Sequence, residues 1–175
     1  MKNRELETFL SKKMKFKRTE GAKHVHFQYR PDDGRQLLPN LLNLSRGQGE
    51  TTNRVFGNTA YDLGLISDEL KTATRCGLSR ECILLCLIIR LTNAFFHQKV
   101  QPDPQTYDQG LQRAFTLSIE QVLEDVRKSG QVPWKKDEIV VLSRARKYLQ
   151  PVSESRFDVM KECAASITCL IERER

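Results

Sequence analysis

The stretch Glu20 to Arg35, Glu-Gly-Ala-Lys-His-Val-His-Phe-Gln-Tyr-Arg-Pro-Asp-Asp-Gly-Arg, decides the fold. From Lys23 to Tyr29 apolar and polar residues alternate, the period of a half-buried strand. Val25, Phe27 and Tyr29 fall on one face, and His24, His26 and Gln28 on the other. Pro31-Asp32-Asp33-Gly34 then supplies a turn, because proline pre-sets its backbone angle and glycine tolerates a positive one. One strand thus carries two of the chain's three histidines on its polar face and leads into a hairpin.

Working outward, Asn3 is placed to cap a first helix whose stripe is Leu6, Phe9 and Leu10. Met14, Phe16 and Arg18 alternate with Lys15 and Lys17, which predicts a first strand with a basic outer face. Gln36 to Leu44 is apolar enough for a third strand, at an edge or broken at Pro39, which has no donor. From about Val55 the period changes to that of helices: one ending near Gly64, a short one over Asp68 to Thr74, and a long buried one from Arg80 to about Gln98. Gln101-Pro102-Asp103-Pro104 breaks the chain, and Tyr107–Lys128, Asp137–Leu149 and Phe157–Glu172 follow as amphipathic helices. The fold class expected is α+β: a small three-stranded antiparallel sheet with helices on one face (αβββα), then an all-helical C-terminal region. The boundaries are 1–78 and 79–175, with a linker near 101–106.

The chain has 175 residues, a net charge of +7 and a charged fraction of 29%. Residues 1–30 hold nine Lys/Arg against three Glu, which is +6, so the remaining 145 residues sum to only +1. A basic patch beside a histidine strand points to a polyanion, nucleic acid first among them. The longest apolar run, Cys82 to Ile89, is eight residues, against the ~20 a membrane span needs. The basic first 20 residues lack the apolar core of a signal peptide. A cytoplasmic protein with reduced cysteines and no membrane association is therefore expected. Cys82 and Cys86 lie a helical turn apart, but no Cys-x-x-Cys occurs, and every cysteine except Cys76 sits on an apolar stripe. Small buried hydrophobes fit that pattern better than zinc ligands, so neither metal nor cofactor is expected.

Gly21-Ala22-Lys23-His24, preceded by a helix and a basic strand and followed by an alternating strand and a Pro/Asp/Gly turn, resembles the HicA-type (YcfA-type) mRNA interferase toxins. Leu44-Ser45-Arg46-Gly47 and Thr59-Ala60-x-x-Leu63-Gly64-Leu65 are similar to segments later in that family. The resemblance covers roughly residues 1–90. It implies a double-stranded-RNA-binding-like (dsRBD-like) fold, an RNA substrate, an antitoxin-like protein partner, and a role for His24 in cleavage.

Metal-independent RNA cleavage needs a base for the 2′-hydroxyl, an acid for the leaving 5′-oxygen, and cations at the phosphate. Histidine serves as either acid or base near neutral pH. His24 and His26, two positions apart on a strand, stand about 7 Å from each other on one face. Lys15, Lys17 and Arg46 are the first candidates to hold the phosphate, with Lys12, Lys13 and Lys23 adding to the RNA-binding surface. The expected function is RNA binding, extending to endoribonuclease activity of toxin–antitoxin or defence type. The alternatives are a non-catalytic regulator that binds RNA or DNA, and an interaction module whose basic patch meets an acidic protein. Glu69 to Cys86 also fits a helix-turn-helix frame, but its second helix is nearly all apolar after one turn, and a buried helix cannot read bases.

Overall fold

In the computed structural model, which describes residues 2–22, 24–29, 42–45, 50–97, 109–129 and 133–172, the chain divides into two units, Met1–Arg80 and Glu81–Arg175. The first unit opens with α1 (Asn3–Thr8). Its N-cap is Lys2, whose backbone N–H donates to Glu5 Oε2 at 3.1 Å. Asn3 is not the cap: it is buried, and its Oδ1 accepts from the Thr51 hydroxyl at 2.7 Å. The helix continues as a π-helical turn over Phe9–Lys13, closed by Met14 N–H donating to Phe9 O at 3.0 Å. The widened turn lets Phe9, Leu10, Met14 and Phe16 all reach the core, where each is buried.

Strands β1 (Lys17–Glu20), β2 (His24–Gln28) and β3 (Leu42–Ser45) follow. β2 pairs antiparallel with β1 on one side and with β3 on the other. Val25 and Phe27 point inward and are 1% and 0% exposed. Phe16 meets Tyr29 edge-on, with ring centroids 6.2 Å apart. Then come α2 (Asn53–Asp62) and α3 (Ser67–Thr74), with α2 packed on β3 and α3. Thr52 caps α2 by accepting from Val55 N–H at 3.3 Å.

The second unit is helical among its described residues. α4 (Arg80–Phe95) is buried at every position from Cys82 to Ile89, and each fully buried leucine or isoleucine is worth about 1.5–3 kcal/mol. α5 (Gln109–Lys128) buries Ile119, Val122, Leu123 and Val126. α6 (Lys136–Arg146), a 3-10 turn at Lys147–Leu149 and α7 (Gln150–Ser153) lead to α8 (Asp158–Glu172), which packs on α5, α6 and α7. No described helix is long and apolar enough to cross a membrane.

The expected α+β class with a dsRBD-like αβββα domain is corrected by this architecture. The chain is mostly helical: its strands are four, five and four residues long, while α4, α5 and α8 run 16, 20 and 15 residues. The basic segment is one reason. Helical geometry persists to Lys13, and Lys15 takes a left-handed φ of 55°, so an extended strand starts only at Lys17. The Pro31–Gly34 turn, residues 36–41 and the 101–106 linker lie outside the described residues. Cys169, placed on an apolar stripe by its spacing, is exposed.

Candidate nucleic-acid interface

The polar face of β2 is set by its own alternation. With Val25 and Phe27 anchored in the core, His24 and His26 must turn outward; His24 is exposed and His26 half-buried. Cross-strand register supplies the backbone partners of these residues. Thr19 and Asn43 flank His26, Ser45 lies opposite His24, and Lys17 lies opposite Gln28. Lys17 is thus a diagonal neighbour of His26, at about 7–8 Å, within reach of a long side chain.

The partial burial of His26 has a local cause. Gly21 closes the β1–β2 connection with its N–H donating to His24 O at 2.9 Å. The His26 ring lies over this glycine: a Cβ there would run into His26 Nε2 and stand 2.8 Å from His24 O. Glycine is needed for this close approach, which leaves room for the His26 ring against the β1–β2 connection.

Of the six cations named from the sequence, the four that are described do not converge. Lys17 is exposed on the histidine face. Lys12 sits exposed on the π-helical turn, and Lys15 is exposed in the left-handed link before β1. Lys13 turns into the fold: its Nζ donates to Ala73 O at 2.6 Å and lies 5.7 Å from the Phe9 ring centroid. Lys23 and Arg46 lie outside the described residues. Arg18, on β1, is paired with Glu7 at 3.8 Å and more closely with Glu20. Thr19 is an addition to the sequence reading, and the Lys17-x-Thr19 alternation carried its signal; Gln28, expected on the polar face beside the histidines, is buried instead.

The chemistry this face offers is two imidazoles, the Thr19 hydroxyl and one ammonium. Among the described residues, no three His, Cys, Asp or Glu gather as metal ligands would. A groove of about 960 Å³ in the second unit is lined by Arg146, Lys147 and Lys161, among others. Arg146 is paired with Glu172 at 2.6 Å and Lys161 with Asp158 at 2.7 Å, so two of those cations are already neutralised. Trp134 is half-buried, and its Nε1–H donates to Leu170 O at 3.3 Å. No protein-family model, no curated protein and no solved structure matches the chain.

Proposed function

We propose that the outer face of β2 binds RNA and that His24 and His26 cleave it without a metal. The observation that supports this is the pairing of two imidazoles side by side on one open strand face, with Lys17 on the adjoining strand. In the reaction, His24 takes the proton from a ribose 2′-hydroxyl as its oxygen attacks the adjacent phosphorus. His26, held against Gly21, gives a proton to the departing 5′-oxygen. The products are a 2′,3′-cyclic phosphate and a free 5′-hydroxyl. Lys17 stabilises the charge that grows on the phosphate oxygens. The resemblance of Gly21 to His24 to the HicA-type toxins favours an mRNA substrate and a toxin–antitoxin or defence role.

The test is cleavage of a fluorescent single-stranded RNA by the full chain in excess chelator. Activity that persists there and drops 10²–10⁴-fold in His24→Ala, with RNA affinity little changed, is the expected result. Lys17→Ala should instead weaken binding and flatten its salt dependence. Salt-sensitive RNA binding without cleavage would leave the non-catalytic regulator in its place.

A further inference from the structure

The β2 face does not account for a second polar surface on the first unit, formed by α2, α3 and the turn between them. We infer that this segment is a helix-turn-helix that reads duplex DNA with α3 in the major groove. α2 ends at Asp62, and Leu63 to Ile66 form a four-residue turn before α3 starts at Ser67. Gly64 within it has a φ of 73°, and Leu65 N–H returns to Ala60 O at 2.8 Å. Two helices joined by a turn of three or four residues containing glycine is the form of this motif.

The burial pattern fits as well as the turn. Thr59, Ala60 and Leu63 of the first helix and its end, Leu65 of the turn, and Leu70 and Ala73 of the second helix are all buried. α2 and α3 pack on each other, and the small Ala60 and Ala73 suit a close crossing. What remains outside on α3 is one continuous face: Ser67, Asp68, Lys71 and Thr72, with Arg75 just beyond. Ser67, Lys71 and Arg75 lie four apart in one row along the helix, and Asp68 and Thr72 form the adjoining row. The alternative frame, α3 followed by α4, is excluded because Cys82 to Ile89 are buried.

That face has the donors and acceptors that base edges require. Serine and threonine hydroxyls pair with either base type, a carboxylate accepts from cytosine N4, and lysine or arginine donates to guanine. Lys71 holds Asp68 at 2.9 Å, but both side chains are solvated, and such a pair opens at little cost. In this motif the first helix crosses the backbone, and Arg54 in the first turn of α2 is exposed for that contact. A concavity of about 540 Å³ where the start of α2 nears the end of α3 is lined by Asn53, Lys71, Thr74 and Arg75, and by Glu5 of α1. Two cations there suit a backbone phosphate.

The experiment is selection by the full chain from a pool of randomised 20-base-pair duplexes. Enrichment of a short motif is expected. The double variant Ser67→Ala/Thr72→Ala should bind that motif roughly 5- to 100-fold more weakly, the range of one or two lost base contacts. Asp68→Ala should relax the preference at one position of the motif, and Arg75→Ala should weaken all duplexes alike and reduce the salt slope by about 1. None of these residues lies on β2, so RNA cleavage should persist in each. Failure to enrich any duplex motif, or a motif held with unchanged affinity by the double variant, overturns the inference and leaves the RNA reading untouched.

Discussion

Lys13 Nζ donates to the carbonyl oxygen of Ala73 at 2.6 Å, so the π-helical turn after α1 is fastened to the last turn of α3 across 60 residues of chain. A cation at a helix C-terminus also opposes the negative end of the helix dipole. Lys13 therefore stabilises the fold rather than the nucleic-acid surface on which its charge had placed it. Lys13→Ala should lower unfolding free energy in urea by about 1–3 kcal/mol, the worth of a charged hydrogen bond. RNA affinity should stay within about twofold, against a clear loss in Lys17→Ala. A Lys13 variant that loses RNA binding but no stability would return this residue to the interface.

Gly21 and His26 form a second such contact, this time inside the site. An added Cβ at Gly21 has no room beside His26 Nε2 and stands 2.8 Å from His24 O. Gly21→Ala must therefore displace the imidazole or open the β1–β2 connection. Cleavage should fall about as far as in His26→Ala, since a misplacement of ~1 Å can cost 10²-fold. RNA affinity should persist, because Lys17 is not moved. The measurement is single-turnover cleavage beside binding at equal RNA concentration; wild-type cleavage in Gly21→Ala would show that the ring position is unimportant.

The parts of this fold legible in the sequence are those in which one period dominates. Val25 and Phe27 anchor β2 by simple alternation, which also turns His24 and His26 outward together. The apolar run from Cys82 to Ile89 is one helix buried on all sides. The basic run reads as a strand from Met14 onward, but Met14 and Phe16 reach the core by a different route. A π-helical turn and a left-handed Lys15 produce the same inward spacing as a strand. Charge has no period either, so nothing in the order of Lys12, Lys13, Lys15 and Lys17 distinguishes the one that braces α3 from the one that lies beside His26. The packing of α2 on α3 was not legible, because small residues such as Ala60, Gly64 and Ala73 become informative only once both helix ends are known.

Two positions with left-handed backbone make opposite predictions. Cys76 follows α3 with a φ of 65°, where Cys76 N–H donates to Ala73 O at 3.2 Å and Gly77 N–H to Thr72 O at 2.9 Å. Glycine is the usual occupant of such a helix end, because any Cβ there is crowded. Cys76→Gly should stabilise the chain by roughly 0.5–1 kcal/mol, net of the entropy glycine adds to the unfolded state. Gly64, at φ 73°, already has the residue its conformation favours, so Gly64→Ala should destabilise by about 1 kcal/mol. Urea midpoints for the two variants must move in opposite directions.

The last prediction concerns pH and the interior of the second unit. Cys163 on α8 is buried, and burial pushes its thiol from an ordinary 9.0 up to about 12. The Thr92 hydroxyl of α4 acts against that rise, and the Glu120 carboxylate of α5 adds to it. The folded chain thus keeps its proton at pH values where the unfolded chain has lost it, and protonation favours the folded state. This contribution is whole below about pH 9, declines above it, and is fully lost once the pH has passed about 12. At about 1.4 kcal/mol per pH unit, roughly 2 kcal/mol should be lost by about pH 10.5. Lysines and tyrosines titrate over the same range, so the quantity to measure is a difference: the change in urea unfolding free energy from pH 8 to about 10.5, wild type against Cys163→Ala. The variant starts lower, because it leaves a small cavity, but should lose less as pH rises, so the two curves converge. Parallel curves would mean that the thiolate finds water or a cation on α8's buried side, and that the packing of α4, α5 and α8 around Cys163 is looser than its burial implies.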